Sequence, residues 1–239
     1  MQIFSATDTG AVREENQDSF AYCIKDEAAF LIVCDGLGGH LGGKRASLLA
    51  CEFIEEKIKS EYKKEFSQGK LEEFLRQCVN EANVRIWECS VKEPENRGMG
   101  TTAVIATVRN GRYTVINLGD SRAYMISDEK ITQITKDQSY VQSLIDKGEI
   151  TREEAKDYPG KSIILQAAGL GDKVNPDIYK GNMEKAILLC TDGLTNELEE
   201  NRIFEIVLKE GPDAVQELVK EANISGGYDN ITVVLGLNE

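Results

Sequence analysis

Five aspartates stand at the ends of predicted strands, where a carboxylate could do chemistry. They are Asp18, Asp35, Asp120, Asp192 and Asp229. All but Asp18 have a glycine or an asparagine as an immediate neighbour, and any one such corner could simply be a turn, since these residue types favour turns. The sequence GLGG at 36–39 is more flexible than a turn requires, at a cost in stability. It indicates a place where the backbone comes close to a ligand.

If several of these strand ends converge, their carboxylates need cations between them. Two carboxylates roughly 4 Å apart repel by about 4 kcal/mol at an effective dielectric constant of about 20. The chain has one histidine, His40, and no Cys-x-x-Cys, so the oxygen ligands favour Mg²⁺ or Mn²⁺ over Zn²⁺. Two such ions that share one aspartate could hold and deprotonate a water for in-line attack on phosphorus.

The composition narrows the classes of protein that remain. The 239 residues include 28 Lys and Arg and 41 Asp and Glu, which gives a net charge of −13. So acidic a surface repels phosphate backbones, and we expect no nucleic-acid partner. One histidine cannot build a His-rich zinc site, and it is the only imidazole available to a Ser-His or Cys-His hydrolase. A cysteine phosphatase needs an arginine six positions after its cysteine, and none of the six cysteines has one.

Nothing in the sequence predicts a membrane span or an export signal. No apolar run approaches the roughly 18 residues that a spanning helix needs, and the first residues, MQIFS, lack the basic and apolar regions of a signal peptide. The cysteine spacing is irregular, which favours buried free thiols over disulfides. We therefore expect a cytoplasmic protein with no membrane partner.

The hydrophobic pattern predicts blocks of strands and blocks of helices. Apolar and β-branched runs predict strands at 20–24, 30–34, 101–109, 113–118, 123–126, 186–190 and 231–237. Amphipathic periodicity predicts helices at 44–60, 70–90, 137–147, 151–157, 199–209 and 212–223. Asn110 and Gly111, between two strands, predict a tight hairpin. Blocks of this kind favour an α+β fold with largely antiparallel sheets covered by helices.

A set of motifs along the chain resembles a known family. The motifs are TGAVR at 9–13, NQD at 16–18, VCDGLGGH at 33–40, GMGTT at 98–102, NLGDSRAY at 117–124, ITKD at 134–137, LCTDGL at 189–194 and DNIT at 229–232. Each motif alone is weak, but the set in this order is specific and covers nearly the whole chain. The chain resembles the metal-dependent protein Ser/Thr phosphatases, the PPM or protein phosphatase 2C-like family, in its compact bacterial form.

The resemblance implies a fold of two stacked, mostly antiparallel β-sheets flanked by helix pairs, an α-β-β-α sandwich, in a single catalytic domain over 1–239. It implies metal-dependent hydrolysis of phosphoserine and phosphothreonine in proteins, by direct attack of a water that bridges two Mn²⁺ or Mg²⁺ ions. The implied partners are phosphoprotein substrates and a cognate Ser/Thr kinase in signal transduction. We expect a monomer.

The same resemblance assigns roles to residues of the central metal site. Asp35, Asp192 and Asp229 form the catalytic centre. Asp35 would bridge the two ions, and the backbone carbonyl of Gly36 would ligate one of them. Asp192 and Asp229 would complete the ligand shell of the second ion.

Three further roles follow from the resemblance. Asp18 would act mainly through metal-bound water. Asp120, together with Asp192, would hold a third and weaker ion. Arg13 would clamp the phosphate, because its planar guanidinium suits a bidentate grip; the alternative for Arg13 is a surface salt bridge with one of the two glutamates that follow it.

The chain departs from the family pattern at several positions. Leu37 stands where many eukaryotic members carry the histidine proposed as general acid, so protonation of the leaving group must come from metal-bound water or another group. His40 lies nearby, and we expect it to structure the loop. Gln138 and Tyr158 replace histidines that bacterial members often carry. The flap region, about 138–172, is therefore altered, which bears on substrate preference.

Other classes of function compete with this interpretation. The segment from Gly38 to Lys44 has the G-x-x-x-x-G-K spacing of a phosphate-binding P-loop, but Arg45 follows where a Ser or Thr should hold Mg²⁺. A catalytically inactive binding module of the same fold would have lost metal-binding aspartates, and all of them are present. A phosphatase dedicated to one phosphoprotein partner stays open as a narrower alternative.

Overall fold

Antiparallel pairing organises the strands into two stacked sheets within residues 1–38 and 42–238, the part of the chain that this computed structural model describes. The first sheet has the order β1 (Gln2–Asp8), β11 (Ile231–Leu237), β10 (Ala186–Cys190), β7 (Arg122–Ile126) and β8 (Ile131–Gln133). The second has the order β2 (Asp18–Lys25), β3 (Ala28–Leu37), β5 (Ala103–Arg109), β6 (Arg112–Leu118) and β9 (Asp177–Asn182), with β4 (Gly100–Thr101) paired to the end of β3.

Helices cover the outer face of each sheet. The second sheet carries α1 (Gly42–Glu61) and α2 (Gln68–Lys92), and the first carries α6 (Glu200–Glu210) and α7 (Ala214–Ser225). The shorter helices α3 (Tyr140–Asp146), α4 (Arg152–Lys156) and α5 (Asp192–Thr195) lie in the connections. The layers are helix, sheet, sheet and helix, which confirms the predicted α+β sandwich.

The central strands of the sheets, such as β3 and β10, are buried on both faces, and this explains their apolar sequences. On β3, Leu31 faces the other sheet and packs in the same cluster as Leu189 of β10. Its neighbours Phe30 and Ile32 face the opposite way, toward α1 and α2, because successive side chains of a strand point to opposite faces. A strand buried on both faces is a continuous apolar run rather than an alternating one.

Capping side chains decide where several helices begin. Ser67 Oγ accepts a hydrogen bond from Lys70 N at 3.2 Å at the start of α2, as N-cap residues do. Ser139 Oγ accepts one from Gln142 N at 3.3 Å, so α3 begins at residue 140 and not at the predicted 137. Thr151 forms a capping box with the third residue of α4.

Local sequence predicts the central strands better than the edge strands. Asn110 and Gly111 take positive φ angles of 51° and 68° and join β5 to β6, which confirms the predicted hairpin. The pattern does not predict β1, β8 or β9, which lie at the sheet edges and have mixed polar sequences. Their conformation depends on pairing with a neighbouring strand more than on intrinsic propensity.

The helices and the cysteines can be compared with the sequence in two more respects, membrane spanning and disulfide formation. No helix in the described ranges is long and apolar enough to cross a membrane. The six cysteines all lie in those ranges and are free thiols, as the irregular spacing predicts.

Candidate metal and phosphate site

The predicted site residues lie at strand ends along one edge of the two sheets. Asp18, at the start of β2, is directly opposite Asp35 near the end of β3. In the other sheet Asp192 follows β10 and Asp229 precedes β11, and these strands are neighbours. Asp120 occupies the corner where the chain passes from β6 in one sheet to β7 in the other. Strand pairing therefore brings together carboxylates that are far apart in sequence.

Thr191 joins the two sheets at this edge. Its Oγ1 donates a hydrogen bond to Asp18 Oδ2 at 2.9 Å and accepts one from the backbone N–H of Thr232 at 3.0 Å. Thr191 and Thr232 are both completely buried. Thr191 belongs to the motif LCTDGL, but the residue pattern alone gives it no role.

The backbone of Asp35 is held by two threonines. Its N–H donates to Thr102 Oγ1 at 2.9 Å. Its carbonyl accepts from Thr102 N at 2.9 Å and from Thr101 Oγ1 at 2.9 Å. Thr102 Oγ1 also lies 2.7 Å from Ser121 Oγ, in the corner that holds Asp120. These threonines form part of the motif GMGTT, and sequence reasoning assigned them no contact with Asp35.

Close backbone approach explains the glycine after Asp35. A Cβ at Gly36 would lie 2.2 Å from the carbonyl oxygen of Gly43 and 2.5 Å from that of Gln17, so no other residue fits there. Leu37 follows, and a Cβ at Gly100 would lie 3.0 Å from Leu37 Cδ1 and 3.1 Å from Leu170 Cδ2, so both apolar side chains approach this glycine. His40 lies outside the described residues.

Burial raises the pKa of four of these aspartates, and the charges of neighbouring carboxylates raise it further. Burial raises the pKa of Asp35 well above its ordinary value, and the charges of Asp18 and Asp192 raise it further. Burial raises the pKa of Asp18 to about 7 and that of Asp120 to about 8, and the charge of Asp192 adds to both. Burial and the charge of Asp229 also raise the pKa of Asp192. A bound cation would reverse these shifts, since it favours the charged carboxylate.

Buried carboxylate oxygens also indicate that this site needs a bound cation or proton. Among the described residues, Asp18 Oδ1 and Asp120 Oδ1 are buried and have no hydrogen-bond partner, and such an oxygen is costly unless a proton or a cation compensates it. Within the same ranges no three Asp, Glu, His or Cys side chains surround a single metal position. Mg²⁺ is usually held by one or two carboxylates together with water and phosphate. The donor set therefore fits Mg²⁺ or Mn²⁺, and it does not fit a structural zinc site with four side-chain ligands.

Arg13 reaches the cluster from the loop between β1 and β2. Its Nη2 donates to Asp229 Oδ2 at 2.8 Å, so Arg13 pairs with a predicted metal ligand and not with the glutamates beside it. The Arg13 side chain is 54% exposed. Because a guanidinium carries five N–H donors, it can hold Asp229 and still bind the oxygens of a phosphate.

Asn230 fixes the loop that carries Arg13. Its Nδ2 donates to the carbonyls of Thr9 at 2.8 Å and Glu15 at 2.9 Å, and its Oδ1 accepts from Gln17 N at 2.8 Å. The loop is therefore tied to the start of β11. Asn230 is in the motif DNIT, but only the folded chain shows why an asparagine stands there.

Comparison with known proteins identifies the family of this chain. A model of the protein phosphatase 2C family matches residues 10–220. The chain belongs to the protein phosphatase 2C family. Serine/threonine phosphatase stp of Listeria monocytogenes is 36% identical over an alignment that covers 96% of this chain and 92% of the relative.

Solved structures of family members have the same fold. The crystal structure of serine/threonine phosphatase Stp1 from Staphylococcus aureus superposes with a TM-score of 0.94 at 33% identity, over 100% of this chain and 95% of that one. The catalytic domain of the phosphatase PstP, in complex with two manganese ions, has a TM-score of 0.84 at 32% identity, over 98% and 96%. The enzyme class, a metal-dependent protein serine/threonine phosphatase, and the Mn²⁺ or Mg²⁺ cofactor are therefore confirmed.

Proposed function

We propose that this protein phosphatase 2C family member dephosphorylates phosphoserine and phosphothreonine through a centre built on Asp35, Asp192 and Asp229. The observation that carries the proposal is the convergence of aspartates from both sheets, with Arg13 Nη2 2.8 Å from Asp229 Oδ2. Clustered carboxylates need bound cations, and an exposed guanidinium beside them suits a bound phosphate. The carboxylates thus support a metal site, and the guanidinium beside them supports a phosphate site, the two parts that hydrolysis of a phosphomonoester needs.

The central residues would divide the work of holding two divalent ions. Asp35 would bridge them, and the carbonyl of Gly36 would bind one. Asp192 and Asp229 would complete the shell of the other, and their side chains would draw in around the ion as it binds, since in the metal-free protein no three such side chains of the described residues surround one position. When bound, the ions supply a deprotonated water as the nucleophile and offset the charge of the phosphoryl group.

Asp18 and Asp120 would contribute to metal binding outside the central pair of ions. Asp18, held by the hydroxyl of Thr191, would act through an intervening water. Asp120, together with Asp192, would bind a third and weaker ion. The support is that each has a buried carboxylate oxygen without a hydrogen-bond partner in the described part of the chain.

Arg13 would bind and orient the phosphoryl group, and Asp229 would keep its guanidinium at the rim of the centre. Because water is the nucleophile, no residue of the chain becomes phosphorylated. Leu37 has no proton to give, so the serine or threonine oxygen takes its proton from water or from another group.

We also propose the setting in which the enzyme works. It is a single catalytic domain over 1–239 with an altered flap at about 138–172, and it acts as a monomer in a bacterial cytoplasm. There it reverses a cognate Ser/Thr kinase in signal transduction. The bacterial origin is supported by relatives of matching length from Listeria and Staphylococcus.

The test is a metal-dependence assay on defined phosphopeptides. Protein treated with EDTA should be inactive toward p-nitrophenyl phosphate and toward phosphoserine and phosphothreonine peptides, and Mn²⁺ should restore all three activities. Activity that survives thorough chelation contradicts the metal mechanism. Restored activity on p-nitrophenyl phosphate with none on either peptide contradicts the protein substrate, and a phosphorylated form of the enzyme in quenched samples contradicts direct attack by water.

A further inference from the structure

Gln138 forms a double hydrogen bond around the residue that precedes Asp120. Its backbone N–H donates to the carbonyl of Gly119 at 2.9 Å, and its side-chain Oε1 accepts from the N–H of Gly119 at 3.0 Å. Gln138 therefore bonds to both polar groups of Gly119 from 19 positions later in the chain, and Asn117 Nδ2 also donates to the Gly119 carbonyl at 3.1 Å. The contact with Gln138 controls the direction of the peptide that leads into Asp120.

The turn between β6 and β7 needs these hydrogen bonds, because Gly119 has no side chain that could fix its conformation. Gly119 has a φ of +102°, which L side chains rarely adopt. A Cβ there would lie 2.6 Å from Thr102 Cγ2, so residue 119 must be a glycine, the most flexible residue. The next residue, Asp120, is only 8% exposed, and its Oδ1 has no hydrogen-bond partner within the described ranges. Because this oxygen has no partner of its own, its direction depends on the backbone that carries Asp120.

Asp177 is the nearer of two acceptors that orient the Gln138 amide; the other is the carbonyl of Asn175, 3.4 Å from Nε2. The Nε2 of Gln138 donates to Asp177 Oδ2 at 2.9 Å. A carboxylate only accepts hydrogen bonds, so it binds the NH₂ side of the amide and leaves Oε1 toward Gly119. Asp177, Gln138 and Gly119 thus form a directed chain of hydrogen bonds that ends at the peptide of Asp120.

We propose that Gln138 is a positioning residue that, oriented by Asp177, aims the carboxylate of Asp120 at a divalent ion. The inference rests on the proposed role of Asp120 as a ligand. It predicts that loss of the Gln138 amide weakens the metal position at Asp120 and leaves the ions on Asp35 unaffected. Partners that orient metal ligands typically affect metal affinity by about 10–100-fold when they are lost.

The experiment is calorimetric titration of the chelated protein with Mn²⁺. Gln138→Met keeps the length of the side chain and removes its amide, and it should weaken the weakest class of Mn²⁺ sites about tenfold or more. The tighter sites should stay within about twofold of wild type. The KM for p-nitrophenyl phosphate at saturating Mn²⁺ should not change, because Arg13 is untouched.

A charge exchange tests the direction of the chain of hydrogen bonds. Q138E alone sets a carboxylate against Asp177 and should weaken the same Mn²⁺ sites, although its added negative charge by itself would attract cations. The double variant Q138E/D177N restores one donor and one acceptor between the two positions, so Mn²⁺ affinity should return to within about threefold of wild type. The matched control is Gln142→Met, which removes an amide bonded to Asp146 and should change nothing.

Asp120→Asn, titrated in parallel, separates this inference from the proposed function. If Asp120→Asn loses the weak Mn²⁺ sites while Gln138→Met and Q138E keep them, Gln138 has no positioning role and the proposed site stands. If Asp120→Asn also leaves Mn²⁺ binding unchanged, Asp120 is not a ligand; its proposed role and this inference are then both wrong, while the centre on Asp35, Asp192 and Asp229 stands. If Gln138→Met does not fold, Q138E and its rescue by D177N decide the question, and a failed rescue overturns the inference.

Discussion

Arg13 Nη2 lies 2.8 Å from Asp229 Oδ2, although 216 positions separate the two residues. The pair forms because Asn230 ties the loop of Arg13 to the start of β11 through the carbonyls of Thr9 and Glu15. The two side chains are 54% and 33% exposed, and an ion pair this exposed contributes little to stability. The ion pair matters because it positions the Arg13 guanidinium at the rim of the carboxylate cluster.

Arg13→Ala should raise the KM for p-nitrophenyl phosphate about tenfold or more and change kcat less, because uniform binding of phosphate is lost. Stability should change by less than about 1 kcal/mol, since the ion pair is exposed. Steady-state kinetics at saturating Mn²⁺ measures this. Arg112→Ala, at the far end of β6, is the control, and an unchanged KM in Arg13→Ala would argue against a phosphate clamp.

Asp35→Asn and Asp192→Asn should each lower kcat about a hundredfold or more while the chain stays folded. Metal ligands in such a centre support several kcal/mol of transition-state stabilisation, and each 1.4 kcal/mol is about a factor of ten in rate. The measurement is turnover at saturating Mn²⁺, with circular dichroism as the check on folding. Asp128→Asn, at an exposed position paired with Lys185, should keep full activity. Near wild-type turnover in the first two variants would remove both residues from the site.

Thr191→Val should both destabilise the protein and weaken metal binding. It leaves the buried N–H of Thr232 unpaired, which costs about 1–3 kcal/mol, and it frees Asp18 from its hydrogen bond. Urea denaturation gives the loss of stability, and Mn²⁺ titration gives the loss of affinity. Thr191→Ser keeps the hydroxyl and should behave like wild type. Equal behaviour of the two variants would mean that the hydroxyl does not matter.

In the metal-free protein, the carboxylates make stability depend on pH in one direction. Burial raises the pKa of Asp18 to about 7 and that of Asp120 to about 8, from 3.8. The folded state therefore binds protons that the unfolded state has already released, and it gains stability as the pH falls from about 8 toward about 5. Thermal melts in EDTA should give a higher Tm at pH of about 5.5 than at about 8.

Added Mn²⁺ should raise the Tm, and more so at the higher pH, because a cation binds the deprotonated ligands and stabilises only the folded chain. The double variant D18N/D120N should lose most of the pH dependence in EDTA. A Tm in EDTA that stays level or rises with pH over this range would show that the aspartates are not clustered in the folded protein.

The sequence by itself determined the features that depend on neighbours in the chain. Asn110 and Gly111 form their hairpin because both tolerate a positive φ. The helices α1 and α2 follow from the period of their apolar residues, and the family is recognisable from motifs that are local strings. The aspartates could be singled out for the same reason, since each stands in a local corner next to a predicted strand.

Only the tertiary structure decided which groups meet. Thr191 donates a hydrogen bond to Asp18, 173 positions away in the chain, and Gln138 bonds to both polar groups of Gly119. The segment β1 becomes a strand because β11 lies beside it. The hydroxyl of a threonine or the amide of a glutamine can bond equally well to water, backbone or another side chain, so no local pattern identifies its partner. That choice is made when the two sheets stack and bring their strand ends to a common edge.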